Sequence, residues 1–189
     1  IDPISDIETI NIELCLADLE AVNKRLQGMD RSLKSQDKKI ADKAKISKPI
    51  LEQISKALGE GKPARAVEMD ADQREAIDDL HLITMKPFLY VLNKQSGGKN
   101  LDEMKDERFS KLVNYFNENK FSYVVVDAKI EDELKEFEGE EKEMMRSEMN
   151  AHDSGIDGLI KAGYDLLGLE TYLTTGEMET RAWTVKKGS

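Results

Sequence analysis

Apolar residues in the first third of the chain recur at alternating steps of three and four, in two runs. Positions 12–33 form the first run and positions 40–58 form the second. This spacing places the members of a run on one side of a helix and is typical of helices that pack together. The members are Ile12, Cys15, Leu19, Val22, Leu26, Met29 and Leu33, then Ile40, Ala44, Ser47, Leu51, Ile54 and Leu58. The polar segment between the runs is short, which predicts an antiparallel helical hairpin within one chain. A parallel coiled coil between two chains is the competing arrangement.

Local signals predict where these helices begin and end. Ser5 and Glu8 have the spacing of a capping box, so the first helix is expected to start after Ser5. Pro49 lies inside the second run and lacks a backbone N–H, so we expect it to kink or restart that helix. A further helix is expected over Asp70 to Thr84.

The middle of the chain has a different pattern. Two continuous apolar runs, Phe88–Leu92 and Phe121–Val126, flank a helical pattern from about Leu101 to Asn119. Short runs rich in β-branched and aromatic residues predict strands that are buried on both faces, as in a parallel sheet. Strand, helix and strand in this order form a βαβ unit with a right-handed crossover.

The last third begins with an acidic helical stretch over 130–148. A helix from about Ser154 to Leu167 and two short strands, Thr171–Thr174 and Arg181–Val185, are expected to follow. The predicted fold class is therefore α/β and rich in helix.

Charge is distributed unevenly along the chain. The net charge is −10, yet residues 23–48 hold nine basic residues and three acidic ones. The candidate contacts for RNA or a protein partner lie around the turn between the first two helices: Arg31, Lys34, Lys38 and Lys39. A basic surface can engage RNA locally even on an acidic protein. The alternative is that these side chains only solvate the helices.

Other classes of protein are disfavoured by composition. No apolar run is long enough to cross a membrane, so no membrane association is expected. One cysteine and two histidines make a structural zinc site unfavourable, and no metal site is predicted. A single cysteine also fits the reducing cytoplasm.

Polar residues follow both predicted strands. The first strand ends in Asn93-Lys94-Gln95-Ser96, and the second ends in Asp127-Ala128-Lys129. Ligands of open α/β sheets bind at the carboxyl ends of the strands. The pair resembles the two base-recognition loops of P-loop GTPases. Spacing alone favours the plainer interpretation, an ordinary strand end with a polar cap.

Several longer blocks resemble one family in order along nearly the whole chain. They lie at residues 2–20, 60–65, 82–87, 128–131, 162–169, 171–176 and 181–185. Together they resemble the YchF-type ATPases, the Obg-related branch of the translation-associated GTPases. The resemblance implies a P-loop NTPase domain over 1–20 and 75–168, a helical coiled-coil insert over 21–74, and the start of a TGS domain over 169–189.

The chain departs from the family pattern in ways that bear on function. It contains no Gly-x-x-x-x-Gly-Lys-Ser/Thr sequence, which cradles phosphates in P-loop enzymes. The chain is therefore interpreted as an internal fragment that carries no catalytic residues and does not hydrolyse nucleotide alone. The resemblance implies ATP or GTP with Mg²⁺ in the intact protein, and we expect neither to be bound to the fragment.

Base preference follows from one substitution in the first loop. GTPases use an aspartate to accept two hydrogen bonds from guanine, and this position is Ser96 here. Losing a charged acceptor removes much of the discrimination in favour of guanine, and the resemblance implies that ATP is favoured. Asn93 is expected to bond the purine edge, Lys94 to lie along the ring, and Asp127 and Ala128 to close the other side through their backbone. Lys129 completes the second loop.

Two functions are predicted. The first is the base-recognition and coiled-coil part of a monomeric, cytoplasmic, ribosome-associated ATPase or GTPase. The second is a non-catalytic interaction module that binds RNA or a protein through the basic hairpin.

Overall fold

The computed structural model describes residues 2–149, 151, 155–176 and 179–189. The chain divides into two compact units, Ile1–Lys86 and Pro87–Ser189. The first contains helices α1 (Pro3–Leu33), α2 (Lys38–Gly59) and α3 (Ala71–Ile77). The second contains, in order, β1 (Leu89–Asn93), α4 (Glu107–Glu118), β2 (Ser122–Val126), α5 (Ala128–Leu134), α6 (Gly139–Glu148), α7 (Gly155–Leu167), β3 (Leu169–Thr175) and β4 (Thr180–Lys186). Over the described ranges, no helix is long and apolar enough to span a membrane.

Helices α1 and α2 pack side by side and run in opposite directions. Asn23 accepts a hydrogen bond from Ser55 at 2.8 Å, whereas Asp30, two turns further along α1, pairs with Lys48 at 3.0 Å. The core between them consists largely of the residues with heptad spacing; Val22, Leu51, Ile54 and Leu58 are at most 1% exposed. The first members of the two runs, Ile12 and Ile40, are about half exposed, although Leu58, the last member of the second run, is buried. Heptad spacing therefore identifies the buried face except at the first position of each run.

The helix boundaries in the first unit differ from three expectations. Asp2, not Ser5, caps α1, since its carboxylate accepts from the N–H of Ile4 and Pro3 occupies the first turn. Pro49 does not restart α2, which continues on both sides of it. Pro49 is exposed, so water can reach the carbonyl that loses its intrahelical partner.

The third difference is that the helix predicted over Asp70–Thr84 is broken. Helix α3 stops at Ile77, His81 adopts a left-handed conformation at φ 47°, and Ile83–Met85 forms a 3₁₀ turn. The backbone N–H groups of Ile83 and Thr84 donate to the carboxylate of Asp18 on α1. A tertiary acceptor thus takes donors that a continuous helix would have used.

The second unit is built on the predicted βαβ element. Strands β1 and β2 are parallel, with Leu89 opposite Ser122 and Asn93 opposite Val126. From α4, the fully buried Phe116 stacks on Tyr123, with ring centroids 4.9 Å apart. The strands are not buried on both faces as expected, because Val91 is 46% exposed. Helix α7 also packs against both strands, so the aromatic residues of α4 are not their sole cover.

Helix α4 begins later than predicted. Asp106 caps it by accepting from the N–H of Arg108, and residues 101–105 form turns. Towards the end of the chain, α7 corresponds to the helix expected from about Ser154, a residue that lies outside the described ranges. The two final strands are present and longer than predicted, and they pair antiparallel with Tyr172 opposite Trp183.

The acidic segment folds into α5 and α6. Glu131 of α5 pairs with Arg146 of α6 at 2.8 Å, and the Glu131 side chain is 4% exposed. Most other acidic residues of this segment are exposed to solvent.

Candidate functional site

The two predicted polar loops meet at one edge of the parallel sheet. Asn93 is the last residue of β1, and its side-chain Oδ1 accepts from the backbone N–H of Ala128 at 3.1 Å. The N–H of Lys94 donates to the carbonyl of Val126 at 2.8 Å and so continues the strand pairing by one step. The ends of both strands are thereby fixed relative to each other.

Asp127 acts as a helix cap within this edge. It is 4% exposed, and its carboxylate accepts from the N–H groups of Lys129 and Ile130 at 3.1 and 3.0 Å. Its side chain is therefore used to start α5. Lys129 points to solvent, with its Nζ 3.9 Å from Glu133.

Lys94 is held by two carboxylates. Its side chain is 16% exposed and its Nζ lies 3.3 Å from Asp102 and 2.5 Å from Glu103. Burial disfavours the charged form, but the hydrogen bonds to Glu103 and Asp102 outweigh it and raise the pKa of Lys94 above its usual value. Because Val126 already binds its N–H, the backbone group of Lys94 left for a ligand is the carbonyl.

The segment after Lys94 forms a closed loop. The N–H of Gly98 donates to the carbonyl of Gln95 at 2.9 Å, and Gly97 adopts φ 65°, a conformation that glycine tolerates best. The side chain of Asn100 accepts from the N–H of Gln95 at 2.8 Å and donates to its carbonyl at 3.1 Å. Ser96 sits half-buried in this turn.

This loop lines one side of a cavity of about 370 Å³, with Asp127, Ile130, Met149 and Ala151 on the other side. The cavity is lined largely by polar and charged residues, with Ile130, Met149 and Ala151 as its apolar part. Of the predicted site residues, Lys94 and Asp127 line it. Sequence reasoning missed Ile130, Met149 and Asn100 as parts of the site. The first two carry only an apolar helix pattern, and Asn100 is one of many polar loop residues. Among the described residues, no group of three or more His, Cys, Asp or Glu side chains is placed to hold a metal ion.

The predicted basic contacts lie together in the first unit, where α1 gives way to α2. Arg31 is in the last turn of α1 and Lys34 is its C-cap, while Lys38 and Lys39 open α2. All four are exposed, and within the ranges that the structure covers none of them forms a salt bridge. Basic residues at a helix C-terminus are favourable, whereas at an N-terminus they oppose the helix dipole. Helix stability therefore accounts for the first two but not for the lysines of α2.

The pair of helices and the parallel βαβ unit define a helix-rich α/β protein whose polar strand ends gather at one edge. No protein-family model matches the chain. A Bacillus subtilis protein called ribosome-binding ATPase YchF is 46% identical over 188 residues, and a Haemophilus ducreyi protein of the same name is 38% identical over 190 residues. Both matches include the whole chain but 50% of the relative.

A solved structure, the Schizosaccharomyces pombe YchF GTPase, matches the whole chain with a TM-score of 0.76 and 27% identity, again over 50% of its own length. The chain is thus similar over its whole length to one half of proteins named YchF. It spans about half the length of the curated relatives that it matches.

Proposed function

We propose that this chain supplies the base-recognition edge of a YchF-type ATPase that hydrolyses ATP, or GTP, and associates with ribosomes. The observation that carries the proposal is the bond from Asn93 to the N–H of Ala128, which joins both loops at the strand ends beside a cavity. The names of the relatives, ribosome-binding ATPase, support the activity and the partner.

The proposal includes a layout within the parent protein. Residues 1–20 and 75–168 would belong to the P-loop NTPase domain, 21–74 to a coiled-coil insert, and 169–189 to a TGS domain. Triphosphate and Mg²⁺ would be bound by residues outside this chain, since its sequence contains no P-loop motif. Nucleotide hydrolysis would therefore require the intact protein. We place that protein in the cytoplasm as a monomer.

Base recognition would depend on neutral groups at the strand ends, beside the cavity that Lys94 and Asp127 line. The amide of Asn93 would face the purine edge, and the carbonyl of Lys94 would face the exocyclic group. Ser96 provides a hydroxyl where a carboxylate would be needed to hold guanine at two points. Lys129 is exposed and would border the site without contacting the sheet edge. ATP should therefore bind at least as well as GTP.

The test uses the full-length protein that contains this chain. Asn93→Ala removes both the purine contact and the acceptor for Ala128, so ATP affinity should fall about tenfold or more, the effect of losing one or two hydrogen bonds. Calorimetric titration with ATP measures this directly. Asn114→Ala on the exposed side of α4 is the matched control and should bind like the wild type. A wild type that binds neither ATP nor GTP contradicts the proposal.

A second function is favoured by the lysines at the start of α2. Lys38 and Lys39 oppose the helix dipole there, and with Arg31 and Lys34 across the turn they form a cluster of like charge. An anionic ligand would offset their mutual repulsion. We propose that this cluster contacts RNA, ribosomal RNA being the chemistry implied by the relatives' names. This chain would then bind RNA as an interaction module without catalysing a reaction.

A further inference from the structure

We propose that Asn100 is a positioning residue for base recognition: it locks the loop over 94–103 in the shape that forms one wall of the cavity. This inference rests on the proposed function of that cavity. Asn100 touches the loop backbone, and it would act on nucleotide through Gln95 and its neighbours.

The Asn100 side chain pairs with the backbone of Gln95 as a residue on a neighbouring strand would. Asn100 Oδ1 lies 2.8 Å from the N–H nitrogen of Gln95, and Nδ2 lies 3.1 Å from the Gln95 carbonyl. One amide thus satisfies both polar backbone groups of a single residue, as the facing residue of an antiparallel pair does. Nδ2 also lies 3.3 Å from a carboxylate oxygen of Glu103.

The loop needs this restraint because its sequence allows many backbone conformations. Gly97 and Gly98 follow Ser96 directly, and two successive glycines leave the backbone many alternative conformations. The bond from Gly98 to Gln95 closes the turn, and Asn100 fixes the residue that accepts it. A second restraint comes from Lys94, whose ammonium is paired with Asp102 and Glu103 beyond the turn.

Loop order matters for base choice in this protein. A carboxylate can attract guanine from a range of positions, but neutral backbone groups recognise a base only when they point in the required direction. The loop contributes Lys94, Gln95, Gly97, Gly98, Asn100 and Glu103 to the cavity wall. With Ser96 at the key position, the direction of those backbone groups must carry the discrimination.

The effect should appear in binding and not in the chemical step. If the competent loop conformation is only a fraction of the population, the apparent affinity falls by that fraction while the bound complex stays unchanged. In the full-length protein, Asn100→Ala should raise the KM for ATP by about tenfold and leave kcat within about twofold. Asn100→Asp keeps the acceptor for Gln95 but loses the donor and meets Glu103, so its KM should fall between wild type and Asn100→Ala.

The experiment compares KM and kcat for ATP and GTP in wild type, Asn100→Ala, Asn100→Asp, Asn93→Ala and the control Asn114→Ala. Hydrogen exchange at the Gln95 and Gly98 amides adds a readout of loop order that does not depend on activity; both should exchange faster in Asn100→Ala.

The outcomes separate the two proposals. A normal KM with slow exchange at Gln95 in Asn100→Ala would overturn the positioning role while leaving the base site intact if Asn93→Ala still weakens binding. A kcat that falls as far as kcat/KM would equally overturn it. If Asn100→Ala does not fold, the decision rests on Asn100→Asp, whose KM must then exceed that of wild type for the proposal to stand. Failure of the wild type to bind either nucleotide would instead overturn the proposed function.

Discussion

The carboxylate of Asp18 accepts three hydrogen bonds in the interior of the first unit. The N–H of Ile83 donates to it at 2.9 Å, and Thr84 donates from both its N–H at 2.7 Å and its hydroxyl at 2.6 Å. The same hydroxyl accepts from the N–H of Ala64 at 2.9 Å. Asp18 therefore ties α1 directly to Ile83 and Thr84 and, through the Thr84 hydroxyl, to Ala64.

Removing this carboxylate should destabilise the first unit strongly. Asp18→Ala leaves three donors without their acceptor, including both buried donors of Thr84, so the free energy of unfolding should fall by about 3 kcal/mol. Urea denaturation measures the change. Glu20→Ala, an exposed acidic residue two positions along the same helix, should shift stability by less than about 0.5 kcal/mol. Equal effects of the two substitutions would mean that water replaces the Asp18 carboxylate.

Ser96 allows the base preference itself to be tested. In the full-length protein, Ser96→Asp supplies the two-point carboxylate acceptor that guanine requires. The binding free energy of GTP relative to ATP should therefore become more favourable by on the order of 1–3 kcal/mol. Competitive titration of both nucleotides against wild type and variant measures it. Asn117→Asp places the same charge on the exposed side of α4 and serves as the control, which should leave the preference unchanged. A wild type that binds GTP tenfold more tightly than ATP would show that the specificity position lies elsewhere in the loop.

At the scale of elements, the α1 and α2 pair combines an apolar interface with salt bridges to a shared carboxylate. Asp79, which follows α3, bridges Arg25 of α1 and Lys43 of α2. The hydrogen bond from Arg25, reinforced by the one from Lys43, lowers the pKa of Asp79 to about 2. The carboxylate therefore stays charged across neutral and mildly acidic pH, and both salt bridges persist over that range.

Pro49 tests how firmly the interface determines α2. Pro49→Ala restores a backbone N–H inside a continuous helix, so the unit should become more stable by about 1 kcal/mol, after allowance for the greater freedom of alanine in the unfolded chain. Thermal unfolding would detect this, with the exposed Gln53→Ala as a control. A loss of stability in Pro49→Ala would indicate that α1 packs against a bend that proline provides.

At the scale of the molecule, opposite charges are segregated along the chain. Residues 23–48 carry a net charge of +6, so the remainder carries −16 within a total of −10. The excess positive charge is concentrated in the helix pair, and the acidic segment over 130–148 lies in the second unit. Such segregation favours oriented contact with a polyanion over general attraction to it.

RNA binding through the basic cluster should depend on salt. Each phosphate that the protein no longer engages should reduce the log–log slope of affinity against salt by roughly 0.7 to 0.9. Replacing Arg31, Lys34, Lys38 and Lys39 by glutamine should therefore weaken ribosome binding and flatten the slope. Ribosome co-sedimentation over a salt series measures both. The matched control replaces four exposed lysines of the second unit, Lys111, Lys120, Lys161 and Lys186. If both variants lose affinity equally, net charge and not the cluster governs binding.

Local patterns along the chain were sufficient to identify the buried face over most of the helix pair and the segments that form strands. Heptad spacing located Val22, Ile54 and Leu58 in the helix interface, and the apolar runs located β1 and β2. Strand polarity and the polar residues at their ends then placed Asn93 beside Ala128. These features succeed because hydrophobic period and residue type are local properties that burial enforces directly.

By contrast, the tertiary structure decided which acceptor each of several backbone N–H groups bonds. The Asp18 carboxylate accepts hydrogen bonds from the N–H groups of Ile83 and Thr84, and the helix predicted over Asp70–Thr84 is broken. Asn100 captures Gln95 and fixes the loop beside the cavity, although it has no pattern that distinguishes it from other polar loop residues. The cause is competition: an N–H group can bond within its own segment or to a distant side chain. The choice depends on which acceptor packing brings near, not on the residues that flank the donor.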